Sequence, residues 1–276
     1  MRVSTNMAAI NAQRSLNNSQ AVIQSSLERL ASGSRINKGA DDAAGLAISE
    51  NLKAQIRSTR QANRNANDGI SMVQTAEGGL NEIGNIIIRM RELGIQASSD
   101  TVSDTERGFV DKEIQQLKSE LQRIASVTTW GKSKLLDGST PAFDFQVGIF
   151  NSEEEDRITY DATSNVATLE ALNLADLDYS SKEGAQVAIE QLDIAQENVN
   201  GMRSELGALQ NRLMSTVNNL GVFEENMSAA NSRIRDTDMA NASAELTRNN
   251  ILLQASTSAL AQANQSTSVA LNLLRG

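Results

Sequence analysis

Apolar and polar positions along the chain fall into long helical runs separated by short polar interruptions. Over residues 3–30 the apolar side chains Val3, Met7 and Ile10, then Ile23, Leu27 and Leu30, follow four-then-three spacings. Such spacing draws one stripe along a helix. Ser4 or Thr5 is placed to cap its start. A very long helix is predicted over 43–99, from Leu46, Ile48, Leu52 and Ile56 through Ile83, Ile87, Met90 and Leu93. Gly78 and Gly79 are its weak point, since glycine lowers helix stability by about 1 kcal/mol relative to alanine. Ser103 followed by Glu106 fits a capping box and opens a helix over 105–128, with Val110, Ile114, Leu117, Leu121 and Ile124 on one face. The pattern resumes at Lys182 and continues to about Arg235. The last helix carries a seven-residue repeat of Leu246, Leu253, Leu260, Thr267 and Leu274, with Leu271 beside its end. Asn249, Ser256, Ala263 and Ala270 interleave with it, so large residues alternate with small ones along a coiled-coil seam.

Between Thr128 and Lys182 the texture changes. Residues 129–180 hold the single proline and tryptophan, both tyrosines and three of the five phenylalanines. The runs FDFQVGIF (143–150) and DRITYDA (156–162) predict a β-hairpin with the acidic loop NSEEED (151–156) at its tip. That loop lacks the alternate-position ligands and central glycine of a calcium loop, so it reads as a solvated turn.

Two segments break the helical pattern with small, polar and charged residues: SGSRINKGADDAAG at 32–45 and RDTDMANAS at 235–243. In the first, Gly33, Gly39 and Gly45 are expected to permit turns, and Asp41 or Asp42 to cap the helix that follows. The order is then nearly symmetric: short helix, elbow, long helix, then long helix, elbow, short helix. The fold class expected is mainly α, a long antiparallel helical bundle and coiled coil with a small β-hairpin region inserted in the middle. The terminal helices pair, and both elbows fall at one domain boundary. This gives one domain of residues 1–42 with 236–276 and another of 43–235, with the β region at 129–180.

Composition narrows the chemistry. Among 276 residues there is no cysteine and no histidine. Disulfides, thiol nucleophiles and the commonest acid/base and metal ligand are therefore excluded. A Ser–Lys or carboxylate-only site is all that remains for catalysis, so no enzyme is expected, and no cofactor. The net charge of −9 with scattered Lys and Arg argues against nucleic-acid binding. The start, MRVSTNMAAINAQRS, has no apolar core of a secretory signal. The uncharged run Asn249–Leu274 is long enough to span a bilayer but is punctuated throughout by Asn, Gln, Ser and Thr, so no membrane insertion is expected.

A pair of terminal helices whose seam mixes Leu and Ile with Ala, Ser, Asn and Thr buries little area. Val22, Leu252 and Leu273 would remain exposed on it, which marks an interaction surface. The ends are expected to fold when they meet other copies, and an open head-to-tail contact between identical chains gives a helical filament.

The segments VSTNMAAINAQRSL (3–16), LASGSRINKGADDAAGLAIS (30–49), NANDGISMVQTAEGGLNEI (65–83), ENMSAANSRIRDTDMANASAELTRNNILLQASTSALAQANQ (225–265) and VALNLLRG (269–276) resemble the bacterial flagellins. The resemblance implies a structural subunit that polymerises into the flagellar filament for swimming motility. Residues 1–42 with 236–276 would form its inner core, residues 43–235 its outer core, and large outer domains would be absent. It implies packing between subunits through Val3, Met7, Ile10, Ile23, Leu27, Leu30, Leu246, Leu253, Leu260, Leu271 and Leu274. The elbow would join the two concentric layers, with Arg35, Lys38, Asp41 and Asp42, and Asp236 and Asp238 facing them, available to charges on neighbouring subunits. It also implies type III export to an extracellular filament, and partners among the export chaperone, the cap and the hook–filament junction proteins. Flagellins are sensed by a Toll-like innate receptor of the host. RMRELGIQ (89–96) resembles the recognised segment, with Arg89, Glu92 and Leu93 matching and Glu113 on the next helix. It departs from the family pattern at Ile88, Met90 and Gly94. A zinc-protease insert of the kind some flagellins carry needs HExxH and fails for want of histidine. A hook–filament junction protein, which shares the terminal logic without long polymers, is the remaining alternative.

Overall fold

The computed structural model describes residues 6–275, with side chains as far as Gln265. Five helices and four short strands are found among them: α1 (Met7–Ser32), α2 (Ala43–Ala97), α3 (Asp104–Val127), β1 (Thr129–Trp130), β2 (Ser133–Lys134), β3 (Ala142–Gln146), β4 (Arg157–Asp161), α4 (Lys182–Arg235) and α5 (Met239–Arg275). The fold is mainly α with a small β region in the middle, as the periodicity predicts. The chain divides into two compact units, Met1–Ile56 with Glu225–Gly276, and Arg57–Glu224. The division falls inside α2 and α4, whose helices run on without interruption. Gly78 and Gly79 do not break α2.

In the terminal unit α1 packs antiparallel along α5. Ser4 and Thr5, which the sequence offers as caps, lie outside the described residues; Asn6 caps α1. Its side-chain oxygen accepts from the Ala9 N–H at 3.2 Å, while its amide donates to the Ala263 carbonyl on α5 at 2.8 Å. At the other end Gly33 adopts φ +68° and donates to the Arg29 carbonyl, closing the helix in a conformation a side chain would strain. Half-buried positions on α5 are Leu246, Asn249, Leu253, Ser256, Leu260 and Ala263, the alternation of large and small seen in the sequence.

On α1 the seam differs from the apolar stripe. Ala9, Ala12, Leu16, Ile23 and Leu30 are half-buried, and Ser19 and Ser26 are buried. Met7 (61% exposed), Ile10 and Leu27 face outward. The reason is packing: small residues let two helix backbones approach, so Ala9, Ala12, Ser19 and Ser26 share the seam with Leu16, Ile23 and Leu30, while Met7, Ile10 and Leu27 fall outside it. One residue of offset rotates a side chain by about 100°, enough to carry Ile10 out of the seam that holds Ala9. Val3, Leu271 and Leu274, which the sequence assigns to packing, lie outside the described residues or side chains.

The central unit has a full hydrophobic core. Leu80, Ile83, Ile87 and Met90 of α2, Ile114 and Leu121 of α3, and Leu192, Val199 and Leu213 of α4 are inaccessible to solvent. The ion pairs Arg60–Glu224 (2.6 Å) and Arg91–Asp193 (2.5 Å) show that α2 and α4 run antiparallel. The Ser103–Glu106 capping box forms at the start of α3.

The predicted hairpin is present but is one of two. β1 and β2 pair around Gly131, and β3 and β4 pair with Phe143 opposite Tyr160 and Phe145 opposite Ile158. The strand predicted to reach Phe150 stops at Gln146. There Val147 and Gly148 both donate to the Asp156 carbonyl, at 2.8 and 2.9 Å. A Cβ on Gly148 would lie 1.7 Å from the Asp156 carboxylate, so only glycine fits. Asp156 is buried and accepts from the Ser152 N–H at 3.0 Å, which closes the acidic loop on itself.

Candidate functional site

Two polar elbows, residues 33–42 and 236–238, meet as a clasp in the terminal unit. The Arg35 N–H donates to the Arg235 carbonyl (2.6 Å), and the Thr237 N–H to the Gly33 carbonyl (2.9 Å). These bonds make an antiparallel bridge between Ser34 and Asp236. The Arg35 guanidinium donates to the Ile234 carbonyl at 2.8 Å, one of the carbonyls left without an intrahelical partner at the end of α4. Arg235 forms an ion pair with Glu50 of α2.

The elbow charges have partners within the chain. Arg35 takes main-chain carbonyls rather than a carboxylate. Lys38 pairs with Glu28 at 2.8 Å, which holds its ammonium above the usual lysine range. The Asp41 carboxylate accepts from the N–H groups of Lys38 (3.0 Å) and Asn37 (3.1 Å), and these bonds hold it below the usual carboxylate range. Asp42 accepts from the Gly45 N–H at 2.8 Å and caps α2. Asp238 accepts from the Ala240 and Asn241 N–H groups and caps α5. Asp236 contributes through its main chain.

Of the three elbow glycines only Gly33 needs a left-handed conformation. Gly45 is required for closeness instead, since a Cβ there would lie 2.8 Å from Ile36. Ile36, 2% exposed, is the apolar anchor of an elbow that reads as polar. Its signal is a lone bulky residue between charges.

On the central unit, Arg89 joins two helices. Its guanidinium donates to Glu113 on α3 (2.9 and 3.2 Å) and to Glu92 one turn along α2 (3.0 Å). Glu113 first and Glu92 second hold it above the usual arginine range. All three side chains are about half exposed.

Leu93 is the correction in this group. It is 3% exposed and packs in the core, because it lies on the inward face of α2 with Met90 and Ala97. Arg91, not singled out from the sequence, occupies the surface here and pairs with Asp193.

Two buried cations were also not legible in the sequence. Arg107 donates to the carbonyls of Ala97 and Ser99, both at 2.9 Å, and fastens the end of α2 to the start of α3. The Lys118 ammonium donates to the carbonyls of Ala175 (3.0 Å) and Leu177 (2.8 Å), and burial pushes it below the usual lysine range. Both look like surface charges in a helical pattern. Their targets are main-chain carbonyls at the end of α2 and in irregular chain, which leave no mark in a sequence.

Among the described residues, no group of three or more Asp or Glu side chains is arranged to hold a metal ion. No described helix is long and apolar enough to cross a membrane.

A helical chain with a closed central core and a pair of terminal helices that exposes apolar side chains has the form of a structural protein. Residues 3–140 match the bacterial flagellin N-terminal helical region and residues 189–274 the bacterial flagellin C-terminal helical region. The chain is 45% identical to a flagellin of Halalkalibacterium halodurans over 275 residues, covering all of both proteins. It is 41% identical over 288 residues to the flagellar filament 33 kDa core protein of Treponema phagedenis, again covering all of each. Bacillus cereus flagellin superposes with a TM-score of 0.51 at 30% identity, over 61% of this chain and 94% of that one. The chain belongs to the bacterial flagellins, the structural subunits of the flagellar filament.

Proposed function

We propose that this subunit polymerises by burying its terminal helix pair among the pairs of other copies, and that its role is mechanical, without catalytic chemistry. The observation that carries this is the surface of the pair. Met7, Ile10 and Leu27 on α1 and Met239, Ile251 and Leu252 on α5 are exposed, while the large apolar side chains of the seam, Leu16, Ile23, Leu30, Leu246, Leu253 and Leu260, are only half-buried. Two helices so arranged leave apolar side chains along both outer faces in water. Packing against further copies removes it, at about 25 cal/mol per Å² buried. Residues 1–42 with 236–276 would then be the inner layer and residues 43–235 the outer one, with the elbow clasp between them.

The subunit would reach its extracellular site by type III export, with the export chaperone, cap and hook–filament junction proteins as partners. Salting-out of the purified protein, followed by electron microscopy, tests the reading beside a chain lacking residues 236–276. Long tubes from the full chain and monomers from the truncated one are expected. Small oligomers from the full chain would point to a junction protein instead.

A second reading rests on the exposed Arg89–Glu92–Glu113 cluster. Its side chains present one cation between two carboxylates to a Toll-like receptor. Arg89→Ala and Glu113→Ala monomers would lower receptor activation in a reporter assay while melting as the wild type does; unchanged activation would remove the cluster from the contact.

A further inference from the structure

The central unit carries two unlike surface features that match each other. One is a knob on α3. Phe109 is 62% exposed, and the Lys112 ammonium lies 5.7 Å from the centre of its ring. Lys112 forms no ion pair among the described residues. The other is an open concavity of about 560 Å³ between α4 and the segment before it. Leu172, Ala175 and Ile194 give it an apolar lining, and Glu170 and Asp176 place two carboxylates on it. Neither carboxylate is ion-paired among the described residues. Asn173 on the same wall holds φ +55°, the left-handed conformation that asparagine tolerates, and its N–H closes a turn onto the Glu170 carbonyl at 3.1 Å. The concavity therefore lies on a chain segment with a fixed local shape.

We propose that the Phe109–Lys112 knob of one copy seats in the Glu170–Asp176 concavity of the next, an inference that rests on the polymerisation reading above. The ring covers Ala175 and Ile194, and the ammonium meets the two carboxylates. An exposed aromatic with an attached cation is what an apolar hollow edged by two acids accepts.

The knob cannot reach the concavity of its own chain. Lys118 of α3 binds the Ala175 carbonyl and so marks the face of α3 that lies against this segment. Phe109 is about two and a half turns from Lys118, on the opposite face of the helix. Knob and hollow are thus different surfaces pointing different ways. A contact made in one direction only, knob of one copy to hollow of the next, joins copies head to tail, as an open filament requires.

The test uses the full chain and compares the minimum protein concentration for assembly. Lys112→Glu, and separately Glu170→Lys with Asp176→Lys, are expected to raise it by about five-fold or more. All three changes in one chain restore the wild-type value to within about two-fold, since the charges are exchanged rather than lost. Phe109→Ala raises it without rescue by any charge change. These positions are exposed, and helical circular dichroism of each monomer checks that its fold is intact. Charge-reversed chains that assemble at the wild-type concentration, or a combined variant no better than the poorer single one, would overturn the proposal and leave the polymerisation reading standing. Failure of the wild-type chain to form filaments overturns both.

Discussion

The terminal pair and the central bundle use the same secondary structure and differ in what completes their cores. In the bundle, three helices and the β region enclose Ile83, Ile87, Met90, Ile114, Leu121 and Leu192 without solvent contact. In the terminal pair, two helices place Leu16, Leu246, Leu253 and Leu260 at a half-buried seam and leave Ile10, Ile251 and Leu252 in water. Helix propensity does not separate the two regions. The number of apolar faces available within one chain does. Two amphipathic helices cannot cover each other as three helices and the β region can, so the bundle is complete alone, whereas the pair leaves apolar side chains in water that, under the proposal above, other copies cover.

The largest difference between the two regions is expected at large core side chains. Leu121→Ala in the bundle should lower monomer stability by about 2–5 kcal/mol, read as denaturant unfolding of the soluble protein. Leu253→Ala in the pair should leave that transition in place and weaken assembly. Equal destabilisation of the monomer by both would mean the pair holds a core of its own. Next come the outward residues. Ile251→Asp with Leu252→Asp should change monomer stability by no more than about 0.5 kcal/mol while abolishing filaments in salting-out; filaments of normal length would show that this face stays in water.

Within the bundle, Lys118→Met keeps length and apolar volume but strands the Ala175 and Leu177 carbonyls, which should cost about 1–3 kcal/mol and loosen the 168–178 segment to limited proteolysis. An unchanged unfolding midpoint and cleavage pattern would show that the ammonium is replaceable.

The smallest effect sharpens the pH side. Burial raises the Asp137 carboxyl, but hydrogen bonds from Ser139 and Lys134 outweigh it and hold it at about 2. A depressed carboxylate stabilises the fold above its unfolded value of 3.8 and loses that contribution as pH falls through about 2. Asp137→Asn should therefore cost at most about 2 kcal/mol near neutral pH, with the difference from wild type vanishing toward pH 2. A pH-independent difference would assign the effect to packing.

The helices were largely legible because their signals are periodic. Lys182 and Arg235 bound α4 as the pattern predicts, and the α5 seam follows the large–small alternation from Leu246 to Ala263. Reading failed where small residues carry the packing. Ser19 and Ser26 are buried on α1, and no hydrophobic pattern selects serine. It failed again where a contact joins distant main chain, as in the bond from Arg35 to the Ile234 carbonyl or from Lys118 to the Leu177 carbonyl. Leu93 illustrates the converse: a motif match named it as a surface contact, and its place on the inward face of α2 buries it.

Whether the terminal pair gains its core from other copies is read from amide hydrogen exchange of the same full chain as monomer and as filament. Amides of α1 and α5 are expected to exchange rapidly in the monomer and to become protected in the filament, while those of α2, α3 and α4 in the central bundle are protected in both. Protection of α1 and α5 in the monomer equal to that of the bundle would contradict the proposal.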